Sequence, residues 1–191
     1  MKLLSFKGYK PGVLNRLGEF LIKLRLRGIY SHSEVMFEPS DGHAVASLMP
    51  DKSLEPDSDG AYWCSSSVWL ERIPAYSPRR AGSLGGVRFK RVVPDLSKYD
   101  IIDTSNSDAL YAAELASNYQ GSLYDLQLII GFISWLIPGK RSRWMCSEIC
   151  AAMLGVPEDQ SWRFDPCSLH ESVASLNKPK PHQKIEPART S

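Results

Sequence analysis

The sequence predicts an α+β fold in which a small antiparallel sheet packs against helices. Short segments with strand periodicity occupy the first half of the chain, and helical periodicity dominates after Asp103. The 191 residues are 43% hydrophobic and 23% charged, so one domain can bury a core without disulfides or a structural metal. We assign residues 1–176 to this domain, with a surface loop at about 50–60, and expect residues 177–191 to form a disordered tail.

Charge and hydropathy limit the classes of partner. The 23 basic and 21 acidic residues leave a net charge of +2, which favours neither nucleic acid nor a membrane surface. Residues 1–8 lack the apolar run of a secretion signal, so we expect a protein that is cytoplasmic at synthesis. The most apolar stretch, residues 126–137, is shorter than the about 20 residues that span a bilayer, so no stable membrane insertion is expected.

The first predicted elements are a helix and a hairpin. Residues 13–26 place apolar side chains on one face of a helix, which Gly28 ends. Residues 30–37 then alternate with the period of a strand. The turn-forming residues 38–42 predict a return into a second strand near 44–48.

Further strands follow the polar loop. Residues 62–64 and 86–92 are typical of strands because they contain aromatic and β-branched residues. Pro, Arg and Gly residues between 74 and 85 predict a connecting loop. The sheet is therefore expected to contain about four short strands.

The last part of the chain predicts three helices. Ser107 can cap the first, and Gly121 ends it. The second, at about 123–137, carries a thin polar stripe that begins with Tyr124. The third covers residues 145–154.

One cysteine lies where a nucleophile would be activated. Cys146 occupies the first turn of the third helix, where free N–H groups and the helix dipole favour the thiolate. His32, on the predicted strand, is the best placed of the four histidines to act as its base. The alternative from the residues alone is a small buried thiol and a structural histidine.

Three motifs together resemble a known family. They are Tyr30-Ser-His-Ser-Glu-Val-Met-Phe37, Gly121-Ser-Leu-Tyr-Asp125 and Trp144-Met-Cys-Ser-Glu148. As a set they are similar to the motifs of circularly permuted NlpC-type, papain-like cysteine hydrolases, in which the histidine strand precedes the cysteine helix. Residues 63–67 and 85–90 further resemble small versions encoded by tailed phages and prophages. The resemblance implies a permuted papain-like fold.

The resemblance also implies roles for individual residues. Cys146 would be the nucleophile, His32 the general base, and Tyr124 a site-lining residue whose hydroxyl could hold an oxyanion. Glu34, on the strand face of His32, is the candidate third catalytic group. Residues 44–47, where the family often supplies that group, contain only Ala, Val and Ser. Alternatives for the third group are Ser65, Ser66 and Glu148, and Asp125 would be a supporting residue.

The implied function is that of a thiol hydrolase. It would cleave an amide bond through an acyl-enzyme, in the stem peptides of peptidoglycan, as a phage-type cell-wall peptidase. The implied partners are a peptidoglycan peptide and other virion proteins, and the protein would be associated with the virion. Two alternatives stay open: a lipid-directed acyltransferase or thioesterase on the same fold, and a non-catalytic phage structural or binding module.

The sequence also offers residues for two other kinds of site, a metal site and a nucleic-acid-binding site. Cys146, Cys150, Cys167 and His170 are potential zinc ligands, but the spacing lacks a Cys-x-x-Cys knuckle, so we expect no metal and no cofactor. The basic residues between 72 and 91 could contact nucleic acid. We expect them instead to form a solvated strand edge.

Overall fold

A computed structural model describes residues 1–9, 12–104, 107–125 and 143–177, with the side chains of Leu14, Asn15 and Arg25 left undescribed. The α+β class is confirmed. The elements in chain order are β1 (Lys2–Phe6), α1 (Val13–Leu26), β2 (His32–Met36), a 3-10 turn (Pro39–Asp41), α2 (His43–Leu48), β3 (Tyr62–Arg72), β4 (Leu84–Val92), β5 (Tyr99–Asp103), α3 (Ala109–Tyr119), β6 (Leu123–Tyr124), β7 (Arg143–Trp144), α4 (Cys146–Met153), α5 (Glu158–Ser161) and α6 (Pro166–Leu176).

Five strands form one antiparallel sheet in the order β4-β3-β2-β1-β5. The strand that carries His32 is therefore the middle one, flanked by β1 and β3. Strands β1 and β5 are not among the strands predicted from the sequence. A separate two-stranded parallel ladder joins β6 to β7, which places Tyr124 opposite Trp144.

The predicted hairpin after β2 is wrong. Residues 43–48 form helix α2, preceded by the 3-10 turn at 39–41. The ladder neighbours of β2 are β1, which comes earlier in the chain, and β3, which follows the polar loop. Val45 of α2 is buried in the main core, so the apolar residues that resembled a strand pack as one side of a helix.

Helix α4 lies in the middle of the main core. All eight of its residues are buried, and it packs against β2, β3, α3 and α6. Small residues permit this close approach: Ala151 and Ala152 of α4 and Ala112 and Ala116 of α3 are fully buried. The element that carries Cys146 is thus held rigidly against the strand that carries His32.

The two faces of the sheet bury different clusters. Leu3 and Val35 belong to the main core with the helices. Their strand neighbours Leu4 and Met36 point to the opposite face and pack in a second cluster with Cys64. His32, Glu34 and Met36 follow one another at intervals of two residues along β2, so all three side chains lie on this second face.

The helices after residue 103 agree in part with expectation. Helix α3 is capped by Asp108, whose side chain accepts hydrogen bonds from the N–H groups of Leu110 and Tyr111, and not by Ser107. Tyr124 lies on a strand and not on a helix. The remainder of the predicted helix at 123–137 and most of the predicted tail at 177–191 lie outside the described residues. Within the described parts of the chain, no helix has the length and hydropathy needed to cross a bilayer.

Candidate active site

The first turn of α4 presents the Cys146 thiol. Met145 is the N-cap, and its N–H donates to Glu148 Oε2 at 2.8 Å, which closes the first turn. Cys146 is the first helical residue and is buried. The first N–H groups of a helix have no partner within it, so the turn offers donors to an anion at the sulfur.

Two opposing effects act on the Cys146 thiol. Burial raises its pKa, but the charge and hydrogen bond of the His32 side chain lower it, with help from the N–H groups of Ser33 and Ser147. The net result is a pKa below the ordinary value for cysteine. The sequence-predicted pair of Cys146 and His32 is therefore brought into contact.

Glu34 holds the other side of the His32 ring. Its Oε1 lies 3.0 Å from His32 Nε2, and both side chains are buried. The spacing of two residues along β2 places them on one face, as the alternation predicted. A carboxylate at this nitrogen can fix the orientation of the imidazole, which is the task of a third catalytic group.

A buried guanidinium lies behind Glu34. Arg88 of β4 is 1% exposed, and its Nη2 lies 3.5 Å from Glu34 Oε1 and 3.0 Å from Glu71 Oε2. Arg88 faces Ser66 on β3, on the same side of the sheet as Glu34. Sequence reasoning missed this contact, because a basic residue on a short strand is ordinarily solvated.

Tyr124 lies close to the thiol, although not on the predicted helix. The pairing of β6 with β7 places it beside the residues that precede α4. Its side chain is buried, and burial, followed by the neighbouring charge of Cys146, raises its pKa well above the usual range. Tyr124 therefore keeps its proton and can donate a hydrogen bond.

A pocket opens beside His32. His32 and Tyr124 contribute to its wall, and Gly18, Glu19 and Ile22 of α1 form the facing part. The remaining lining residues come from β3 and its neighbours: Ser31, Val68, Trp69, Leu70 and Glu71. Helix α1 therefore forms part of the wall of the pocket beside His32.

Two of the three alternative third groups, Ser66 and Glu148, form hydrogen bonds elsewhere. The Ser66 hydroxyl donates to the Ser33 carbonyl oxygen at 2.6 Å, and Glu148 serves as the cap of α4. Ser65 belongs to the opposite strand face from Ser66 and is fully buried. Asp125 is buried, and its charge adds to the effect of burial in raising the pKa of Glu148 to about 7.

The potential zinc ligands are not gathered into one site. Cys150 lies inside α4 in the core, whereas His170 Nδ1 lies 2.9 Å from Ser5 Oγ and the Cys167 thiol contacts the Tyr30 carbonyl. Among the residues that the structure describes, no cluster of three or more His, Cys, Asp or Glu side chains could hold a metal ion.

Three basic side chains of the segment 72–91 form ion pairs within the protein. Arg88 is buried, which corrects the expected solvated edge at that position. Arg91 Nη2 donates to Asp51 Oδ2 at 2.7 Å, and its guanidinium stacks over Trp63. Lys90 pairs with Glu71 at 3.0 Å and is the more solvated of these side chains.

Comparison with protein-family models, curated proteins and solved structures gave no match to this chain.

Proposed function

We propose that the chain is a cysteine hydrolase with a permuted papain-like fold, which cleaves an amide bond through a Cys146 acyl-enzyme. One observation carries the proposal: the thiol at the first turn of a buried helix hydrogen-bonds His32, and Glu34 holds the far side of that ring at 3.0 Å. These are the nucleophile, base and orienting group of a thiol hydrolase, in mutual contact.

The chemistry follows from this arrangement. Because Glu34 occupies Nε2, Nδ1 of His32 is left to face the thiol and take its proton. The sulfur attacks the carbonyl carbon, the carbon–nitrogen bond breaks, and the protonated ring gives its proton to the leaving amine. Water, deprotonated by His32, then hydrolyses the thioester to an acid and restores the thiol.

Two sets of donors are available to the developing oxyanion. Tyr124 keeps its proton and lies beside Cys146, and the first turn of α4 supplies N–H groups without helical partners. Donors fixed in a buried site stabilise negative charge more than water would. The Tyr124 hydroxyl is therefore assigned to stabilise the tetrahedral intermediate.

The proposed substrate is a stem peptide of peptidoglycan, and the proposed setting is a phage virion. Support comes from the resemblance of the motifs around His32, Tyr124 and Cys146 to permuted NlpC-type hydrolases. The order of the elements agrees, since the histidine strand β2 precedes the cysteine helix α4.

A second candidate, acyl transfer or thioester hydrolysis on a lipid, is favoured by one observation. Helix α1 lines the pocket with Gly18 and Ile22, and Leu17 and Phe20 on the same helix are exposed to solvent. Ile22 gives the pocket wall an apolar side chain, which suits a substrate with an acyl chain.

The test measures turnover of purified peptidoglycan and of a simple acyl thioester by the parent, Cys146→Ala and His32→Ala. Cys167→Ala serves as the matched control, because it removes a partly exposed thiol that lies outside α4 and contacts the Tyr30 carbonyl. Either site variant should abolish nearly all turnover, and the double variant should be little worse, because the two residues act as one unit.

The outcomes separate the candidates. Release of amino groups from peptidoglycan supports the peptidase, and turnover of the thioester alone supports the acyl-transfer alternative. Turnover that survives Cys146→Ala, or a parent that acts on neither substrate and whose Cys146 resists alkylation, would rule out the hydrolase and leave a structural or binding module.

A further inference from the structure

Helix α1 exposes its apolar side to solvent. Val13, Leu17, Phe20 and Leu24 recur at intervals of three and four residues, and they are 83%, 52%, 50% and 63% exposed. Leu21, on the same side, is 39% exposed. We call these five residues the outer face of α1. A helix on the surface of a globular protein ordinarily has its apolar side towards the core, so this orientation is reversed.

The opposite side of α1 fixes this orientation. A Cβ on Gly18 would lie 2.9 Å from Trp69 Cζ3, so the helix approaches β3 at the position that lacks a side chain. Glu19 is buried, and Ile22 lines the pocket beside His32. Lys23 Nζ donates to the carbonyl oxygens of Lys7 and Gly8 at 2.6 and 2.7 Å, which ties the helix to the end of β1. The outer face therefore cannot turn inwards without breaking these contacts.

Positive charge borders the outer face. Arg16 is exposed in the first turn of α1, and Arg27, the C-cap residue with a left-handed backbone, is exposed at the other end of the helix. Glu19 is the one acidic residue in the α1 sequence, and it belongs to the buried side. The helix thus presents apolar side chains and cations together, although the whole chain is nearly neutral.

We propose that the outer face of α1 docks on an anionic phospholipid surface. The helix would lie parallel to the bilayer, with Leu17, Phe20 and Leu24 in the boundary of the acyl chains and Arg16 and Arg27 at the headgroup phosphates. This inference does not depend on catalysis by Cys146. It places the pocket that contains His32 next to the lipid surface, because α1 forms one wall of that pocket.

Charge argues for lipid over a second copy of the chain. A dimer through α1 would bring Arg16 and Arg27 near the same residues of the other copy, and α1 has no exposed carboxylate to pair with them. Anionic headgroups neutralise these guanidinium groups while the acyl region receives the apolar side chains.

Co-sedimentation with lipid vesicles tests the proposal. The full chain is mixed with vesicles of phosphatidylcholine alone, and with vesicles that also contain phosphatidylglycerol. We expect binding to the anionic vesicles that weakens as salt increases. Phe20→Glu and Leu24→Glu should each reduce binding about tenfold or more, because they place a carboxylate in the apolar boundary. Leu96→Glu is the matched control, since Leu96 is 70% exposed but lies outside α1, and it should bind as the parent does.

Three results would overturn the proposal. The first is a parent that does not bind anionic vesicles at low salt. The second is a parent that dimerises with concentration and becomes monomeric on Phe20→Glu, which assigns the face to a second copy. The third is a lower melting temperature for Phe20→Glu and Leu24→Glu but not for Leu96→Glu, which means that this chain covers its own face.

Discussion

Glu34 Oε1 lies 3.0 Å from Nε2 of His32, two residues earlier on the same strand. The two side chains therefore share one face of β2, and their contact holds the imidazole in the orientation in which it meets the Cys146 thiol. The charge of His32 in turn lowers the pKa of the Cys146 thiol.

The first prediction concerns Glu34→Gln. Loss of the negative charge should weaken the pairing of a protonated His32 with the Cys146 thiolate, so the pKa of Cys146 should rise. The rate at which iodoacetamide alkylates Cys146 is measured against pH, and the midpoint should shift upwards. Alkylation at neutral pH should slow by up to about tenfold. Glu114→Gln, at an exposed position of α3, is the control and should leave the profile unchanged. An unchanged profile for Glu34→Gln would show that Glu34 does not influence the Cys146 thiol.

The second prediction compares Arg88 with Lys90. Both donate to Glu71 Oε2 at 3.0 Å, but the Arg88 side chain is 1% exposed and that of Lys90 is 49% exposed. Arg88→Met removes the buried guanidinium beside the buried Glu34 carboxylate, so it should lower the free energy of unfolding by about 3 to 5 kcal/mol. Lys90→Met should cost less than about 1 kcal/mol, because water screens an exposed pair.

Urea denaturation measures both variants. Glu34→Gln combined with Arg88→Met should be less destabilised than the sum of the single changes, since the charge left unpaired is then removed as well. Equal losses for Arg88→Met and Lys90→Met would contradict the interpretation of Arg88 as the buried counter-charge of Glu34.

Local periodicity was enough to predict the elements that carry Cys146 and His32. Helix α4 ends just before Gly155 and Pro157, which are helix-stop residues. Helix α1 likewise has the expected bounds, because Gly28 follows its last periodic residue. The strand alternation of β2 correctly placed His32 and Glu34 on one face. These features are determined by residues close together in the sequence, so they can be predicted from a single sequence.

The remaining features depend on contacts between distant residues. Residues 44–48 read as a strand because a short apolar run has no clear period, but burial against the main core makes them a helix. Strand β1 is buried on both faces and so lacks alternation. The burial of Arg88 follows from its pairing with Glu34 and Glu71, which are 54 and 17 residues away along the chain.

The third prediction concerns Glu148 and pH. Burial is the main cause that raises its pKa to about 7 from the ordinary 4.5, and the charge of Asp125 adds to it. Between these two values Glu148 binds more protons in the folded chain than in the unfolded chain. Its contribution to the free energy of unfolding is therefore fully present below about pH 4.5 and is lost as pH rises to about 7. The loss attributable to Glu148 should be about 3 kcal/mol at most.

Glu148→Gln isolates this effect. Glutamine can still accept from the Met145 N–H, but it does not ionise. Unfolding in urea is measured at about pH 5 and about pH 8, and the parent should lose more stability between them than the variant. Parallel losses in the two proteins would show that Glu148 is not the group responsible.

The last prediction asks whether the pKa of a thiol or its exposure to solvent determines which cysteine is alkylated first. Cys146 is 2% exposed, whereas Cys167 is partly exposed, so accessibility alone favours alkylation of Cys167. Burial raises the pKa of Cys167, as it does for Cys64 and Cys150, but the pKa of Cys146 is lowered by the charge and hydrogen bond of His32 despite its burial. Because the thiolate is the reactive form, iodoacetamide at neutral pH should label Cys146 first, as read by peptide mapping. His32→Ala should abolish this preference and leave Cys167 as the faster site, since burial then acts on Cys146 without opposition from the imidazole. Labelling of Cys167 ahead of Cys146 in the parent would show that exposure governs reactivity and that His32 does not activate the thiol.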